Sequence, residues 1–187
     1  MSLQDNSYSN IAKIMDQYRK TPRARFLDYD GGDFFITICT RDKHHYFGEI
    51  YDVEMHYSDI GAYCAAQLAN AILFNNRVQI SAYVVMPNHI HAIVSIKPET
   101  DRMADGLQRT PNPCLRTNAS SQRHVPILTR YISSLKGCVS KYAKSKSLHF
   151  GWQGRYYDHF IRGERDGSMV YEYILNNVSR WENDCFR

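Results

Sequence analysis

Two histidines flank one aliphatic residue in the segment 86–91 (MPNHIH), which opens an apolar, β-branched run. Successive side chains of a β-strand point to opposite faces, so a strand here would place His89 and His91 on one face and Ile90 in the core. Two imidazoles on one strand form half of a site for a divalent metal, and such a site needs at least one more ligand.

A second polar pair lies in a segment near the end of the chain, where apolar residues recur at helical spacing. Tyr173 and Asn177 are four residues apart, so a helix would present both on one face, with Tyr171 turned away. If that face meets the histidine end of the strand, the Asn177 amide oxygen can become a third metal ligand, with the Tyr173 phenol beside the ion. This constellation is suited to attack on a phosphodiester.

The elements that must position these residues follow from hydrophobic periodicity. Aromatic and β-branched runs predict strands, with Pro87-Asn88 as a tight hairpin connection, at residues 33–40, 78–86 and 89–96, and a short extended segment at 152–161. Apolar residues at helical spacing predict three helices: 58–75 with Ser58 as N-cap, one beginning at Ile127, and one from about 164–166 to Trp181.

This order of elements predicts an α+β fold: a ferredoxin-like antiparallel sheet with helices on one face, plus a C-terminal helix that carries the tyrosine. A chain of 187 residues with 43% hydrophobic residues suits one domain spanning residues 1–187. Within it, residues 1–29 are expected to form a polar arm and 97–126, rich in Pro, Thr, Asn and Ser, a flexible excursion.

Composition also restricts the cellular setting. No apolar run is long enough for a membrane span and the first residues are polar, so a cytoplasmic protein without a membrane partner is expected. The five cysteines are odd in number and include no C-x-x-C pair, which indicates reduced thiols rather than a disulfide framework.

Four segments in order resemble the HUH single-tyrosine transposases, and within them the branch of REP-associated tyrosine transposase-like proteins. The resemblance runs from about Arg23 to Trp181, and its motifs are FITICT at 35–40, MPNHIH at 86–91, WQGRYYDHFIR at 152–162 and YILNN at 173–177. Relatives commonly carry Pro after the paired asparagines where this chain has Val178, a change expected to let the helix run further.

The resemblance implies a metal-dependent DNA transposase or nuclease with one catalytic domain. It implies that His89 and His91 bind magnesium or manganese, that Tyr173 attacks single-stranded DNA to give a 5′-phosphotyrosine, and that Asn177 joins the metal. The implied substrate folds into hairpins or lies in repeat sequences. Relatives can form homodimers in which one subunit supplies the tyrosine to the other, and the spacing here leaves cis and trans arrangements open.

The formal net charge of +4 is compatible with a nucleic-acid partner. Basic and aromatic side chains that could contact phosphates or stack on bases are Arg23, Arg25, Lys136, Lys141, Arg155, Tyr156 and Arg162. His159, within the same motif as Tyr156, could contact substrate, make a supporting hydrogen bond or pack on the sheet, and the last two are favoured.

Two other classes of protein remain open. Histidine-triad nucleotide hydrolases also carry alternating histidines on a strand, but they require a third histidine where this chain has Ile93. A ferredoxin-like nucleic-acid-binding protein derived from a transposase could keep the fold and lack turnover, and it would bind hairpins without cleaving them.

Overall fold

A four-stranded antiparallel sheet is the centre of the molecule. The computed structural model describes residues 29–98, 124–184 and 186, so Arg23, Arg25 and most of the predicted excursion lie outside the described residues. The strands in these ranges are β1 Gly32–Cys39, β2 Gly48–Tyr51, β3 Glu54–Tyr57, β4 Val78–Met86, β5 His89–Ile96 and β6 Tyr157–Phe160. The sheet has the order β4-β5-β1-β6, and β2 and β3 form a separate hairpin.

Three α-helices accompany these strands: α1 Asp59–Ala69, α2 Ile127–Ser145 and α3 Gly163–Leu175. With the β2–β3 hairpin set aside, the order is strand, helix, strand, strand, helix, strand, followed by α3, which is the predicted ferredoxin-like α+β arrangement. The fold-class prediction is confirmed. None of the helices in the described ranges is long and apolar enough to cross a membrane.

The helices lie on opposite faces of the sheet. One face of β1, β4 and β5 packs with α1 and α2 in the main core, where Ile36, Ile90 and Leu128 are fully buried. The other face packs with α3 in a smaller cluster that includes Phe35, Ile93 and Tyr173. Because side chains alternate along β5, the histidines share the second face with α3 and Ile90 enters the main core.

Two predicted elements end or begin differently in the structure. α1 ends at Ala69 rather than at residue 75 because the Asn70 side chain donates to the Ala66 carbonyl (2.8 Å), and a short 3₁₀ turn, Ala71–Leu73, follows. The extended segment predicted at 152–161 forms a strand only over Tyr157–Phe160, and Trp152 adds an isolated antiparallel bridge to Thr40. Between these two pairings, the Lys136 ammonium group donates to the carbonyl of Gln153 (2.6 Å).

α3 ends at Leu175, so its predicted extension to Trp181 is wrong. The Asn176 side chain donates to the Glu172 carbonyl (2.8 Å), and the Asn177 amide bonds to Ile174 in 3₁₀ fashion (3.3 Å). The backbone has therefore already tightened before Val178, and a 3₁₀ segment, Val178–Asn183, follows. α3 thus ends before Val178, and the expected extension of the helix past this residue is absent.

The β2–β3 hairpin lies in a region that the sequence pattern assigned to a connection. Its turn residues Asp52 and Val53 both have positive φ, 53° and 61°. Such a turn normally carries Asn or Gly, and a β-branched valine gives no turn signal in the sequence.

The Pro87-Asn88 turn that precedes the histidines is held by the segment after β1. The Thr40 amide and hydroxyl both donate to the Asn88 carbonyl (2.9 Å each), and the Phe47 amide donates to the Pro87 carbonyl (3.0 Å). The Phe47 carbonyl in turn accepts from Ser58, whose Oγ caps α1 by accepting from the Gly61 amide (3.1 Å). The predicted Ser58 cap is confirmed, and α1 is thereby tied to the turn.

Gly61 is needed for this close approach. A Cβ at Gly61 would overlap the Phe47 carbonyl oxygen, whereas a Cβ at the exposed α2 residue Gly137 meets nothing within 4 Å. We expect Gly61→Ala to lower the free energy of unfolding by about 2 kcal/mol or more, and Gly137→Ala to raise it by about 0.5–1 kcal/mol. Urea denaturation of both variants measures this, and equal stability of the two would contradict the assigned packing.

Candidate metal centre and its tyrosine

His89 and His91 lie side by side on the face of β5 that packs against α3. Both are fully buried, and their ring centroids are 4.5 Å apart. Their register partners on β1 are Cys39 and Thr37. The shared face predicted from the alternating histidines is the arrangement found.

Each imidazole is held through its Nδ1 atom. His91 Nδ1 lies 2.8 Å from the Thr37 hydroxyl, and His89 Nδ1 lies 2.7 Å from the Asn88 amide oxygen. The Asn88 amide nitrogen donates to the Phe186 carbonyl (2.9 Å), so the Asn88 oxygen faces His89 and can only accept. His89 Nδ1 therefore carries the proton, and its Nε2 presents a lone pair, as a metal ligand must.

Asp184 completes a cluster of three possible metal ligands. One ligand atom from each of His89, His91 and Asp184 lies within 4.8 Å of the others. His89 Nε2 is 3.7 Å from Asp184 Oδ2, and Asp184 Oδ1 accepts from the Phe186 amide (2.7 Å). Sequence reasoning missed this carboxylate because it follows α3 in a segment with no motif of its own.

Tyr173 projects from α3 toward the histidines. Its hydroxyl is 3.3 Å from His91 Nε2, within the same chain. Asn177, one turn later, is fully buried, and neither polar atom of its side chain has a hydrogen-bond partner in the described part of the chain. The ring of Trp181, four residues after Asn177, lies 6.1 Å from the ring of His89.

Aromatic rings surround this cluster. The Phe35 ring stacks on His91 at 5.2 Å, and the Phe186 ring lies 5.0 Å from His89 and 5.5 Å from His91. Burial lowers the pKa of His91 to about 3. Burial, and secondarily the charges of His91 and Lys43, also lower the pKa of His89 well below its usual value. Both imidazoles are therefore neutral near pH 7, which is the form that binds metal.

The donor set suits a divalent cation. Two imidazole nitrogens and one carboxylate oxygen are types of ligand that divalent metal ions accept. His89 Nε2 and the Asn177 amide are buried polar atoms without hydrogen-bond partners in the described ranges, which is costly unless a ligand or ion satisfies them.

The predicted DNA-contacting residues do not converge on the cluster as a group. Lys136 and Lys141 lie on α2, across the sheet from the histidines. Lys136 is half-buried over the Trp152 ring, and burial lowers its pKa. Arg155 and Arg162 are exposed, while Tyr156 is half-buried against the main core.

His159 makes a hydrogen bond that ties β6 to α3. Its Nε2 is 2.9 Å from Asp166 Oδ2, and the same carboxylate oxygen accepts from the Arg162 amide (2.8 Å). The supporting bond expected for His159 is thus present, with a partner that sequence reasoning did not identify. Thr37, by contrast, had a signal in the sequence: it is a polar residue within the otherwise apolar run 34–39 of β1.

Comparisons with known proteins place the chain in a family and a fold. A scan against protein-family models found no match. A REP-associated tyrosine transposase bound to a REP hairpin shares the fold, with a TM-score of 0.52 and 19% identity over 86% of this chain and 74% of that one. A proposed transposase of Deinococcus radiodurans R1 aligns with a TM-score of 0.44 and 15% identity over 83% of this chain and 97% of that one.

The sequence comparison identifies a bacterial relative. An uncharacterized protein of Haemophilus influenzae strain Rd is 33% identical over 169 residues, which cover 89% of this chain and 92% of the relative. The chain therefore belongs to the same protein family as this H. influenzae protein.

Proposed function

We propose that this protein is a metal-dependent transposase that cleaves and rejoins single-stranded DNA through a 5′-phosphotyrosine at Tyr173. The observation that carries the proposal is the Tyr173 hydroxyl, 3.3 Å from Nε2 of His91 in a cluster of two histidines and one aspartate. The shared fold with a transposase bound to a REP hairpin supports hairpin-forming or repeat DNA as the partner.

In this proposal His89, His91 and Asp184 hold a divalent metal, with Asn177 as a further ligand through its amide oxygen. When bound, the ion supplies positive charge that polarises a phosphate oxygen and favours the phenolate form of tyrosine. The two nitrogen donors favour Mn²⁺ over Mg²⁺, which prefers oxygen ligands. Thr37 and Asn88 keep the imidazoles oriented by holding their Nδ1 atoms.

Tyr173 performs the covalent step. Its phenolic oxygen forms a bond to phosphorus and loses its proton to water, while the bond from phosphorus to the 3′ oxygen breaks and that oxygen takes a proton from water. The products are a 5′-phosphotyrosine and a free 3′-hydroxyl. Attack by another 3′-hydroxyl reverses the step and rejoins the strand. In this proposal the reaction takes place in cis, on the ground that the Tyr173 hydroxyl lies 3.3 Å from His91 Nε2 of its own chain.

Removal of the Tyr173 hydroxyl should abolish the covalent adduct. We expect wild-type protein with Mn²⁺ and a single-stranded hairpin oligonucleotide to form a species that survives denaturing electrophoresis, and Tyr173→Phe to form none. Tyr171→Phe is the matched control because Tyr171 lies on the same helix and is exposed. An adduct that persists in Tyr173→Phe would rule out this nucleophile.

Replacement of Asp184 tests the ligand set. Loss of its negative charge in Asp184→Asn should weaken Mn²⁺ binding about 10- to 100-fold, measured by titration calorimetry. Asp42→Asn, at an exposed position in a short turn, should leave the affinity unchanged. If Asp184→Asn binds Mn²⁺ with wild-type affinity and Asn177→Ala binds it more weakly, Asn177 rather than Asp184 is the third ligand.

The alternative is a nucleic-acid-binding protein derived from a transposase that no longer cleaves. Burial of the site favours this alternative, because Tyr173 is only 3% exposed and packs in the same buried cluster as Phe186. Tight hairpin binding without any adduct in Mn²⁺, across many hairpin sequences, would support this alternative over the transposase.

A further inference from the structure

We propose that Asn88 is a positioning residue that couples the orientation of His89 to closure of the site by Asp184 and Phe186, here called the closing segment. This inference rests on the proposed metal site and extends it to the regulation of access. Asn88 is 1% exposed and lies in the Pro87-Asn88 turn, where Thr40 holds its backbone carbonyl. Its backbone is therefore held in place independently of the two partners of its side chain.

The two ends of the Asn88 amide have different tasks. Its oxygen accepts from His89 Nδ1 (2.7 Å), which leaves the His89 Nε2 lone pair facing Asp184. Its nitrogen donates to the Phe186 carbonyl (2.9 Å). One planar group thus orients a proposed metal ligand and holds the backbone of the segment that supplies another.

The closing segment covers the reactive groups. The Phe186 ring is 3% exposed and lies against both imidazoles, and its amide donates to Asp184 Oδ1 (2.7 Å). With Tyr173 also buried, a phosphodiester cannot reach the phenolic oxygen while this segment is in place. Binding of DNA in the reactive position therefore requires the hydrogen bond between Asn88 and Phe186 to break.

Two substitutions separate the two ends of the amide. In Asn88→Asp the carboxylate still accepts from His89 but cannot donate to the Phe186 carbonyl, whereas Asn88→Ala loses both contacts. Asn70 provides the matched control, because its side chain also donates to a backbone carbonyl, that of Ala66, at an exposed helix end. Asn70→Asp and Asn70→Ala should leave both readouts below unchanged.

The first readout is hydrogen exchange at the closing segment in metal-free protein, measured by mass spectrometry. Both Asn88 variants should exchange faster there than wild type. The second readout is Mn²⁺ affinity by calorimetry, in which Asn88→Ala should bind about 10- to 100-fold more weakly than wild type. Asn88→Asp should bind at least about tenfold more tightly than Asn88→Ala, because His89 keeps its acceptor.

If the closing segment of Asn88→Asp exchanges as slowly as that of wild type, Asn88 does not hold this segment. If Asn88→Ala binds Mn²⁺ with wild-type affinity, Asn88 does not position His89. Phe186→Ala keeps Asn88 intact and should also accelerate exchange, so it tests the closing segment if the Asn88 variants do not fold. Wild-type exchange in Phe186→Ala would contradict closure. If wild-type protein binds no Mn²⁺, the proposed function fails. The exchange comparison still shows whether Asn88 holds the closing segment.

Discussion

The site depends on one pair of interactions: the hydrogen bonds that occupy Nδ1 of both histidines. Thr37 holds His91 from the neighbouring strand, and Asn88 holds His89 from the turn. With Nδ1 engaged, Nε2 is the only nitrogen of each ring that can face Asp184 and Tyr173. The antiparallel register of β1 against β5, which pairs Thr37 with His91, is therefore as important to the site as the histidines themselves. Partners of this kind determine the tautomer and basicity of a metal-binding histidine.

Burial gives this arrangement its second property. Aromatic rings exclude water from the imidazoles, which lowers their pKa values and keeps both rings neutral near pH 7. In such an environment an ion and a developing charge interact more strongly than they do in water. The same burial closes the site to a large substrate. The residues that follow α3 must therefore exclude water from the imidazoles and also move aside to admit a substrate. The proposed closing segment, held by Asn88, meets both demands in this account, because it can be stable without DNA and still open by loss of few contacts.

The sequence predicted the framework well because strong periodicities specify it. β4 and β5 have the predicted bounds, Ser58 caps α1, and alternation along β5 places the histidines on one face. The failures have local causes. Side chains of Asn70 and Asn176 compete for backbone carbonyls and end helices early, and Val53 occupies a turn that normally shows Gly or Asn. Asp184 could not be predicted, since its position depends on how the chain returns over the sheet after α3.

The most direct test of the central account is crystallographic. Crystals grown with Mn²⁺ should show an anomalous difference peak in contact with His89 Nε2, His91 Nε2 and Asp184, with both Nδ1 bonds to Thr37 and Asn88 retained. Absence of a peak at this position under saturating Mn²⁺, or coordination through Nδ1 of either histidine, would contradict the account.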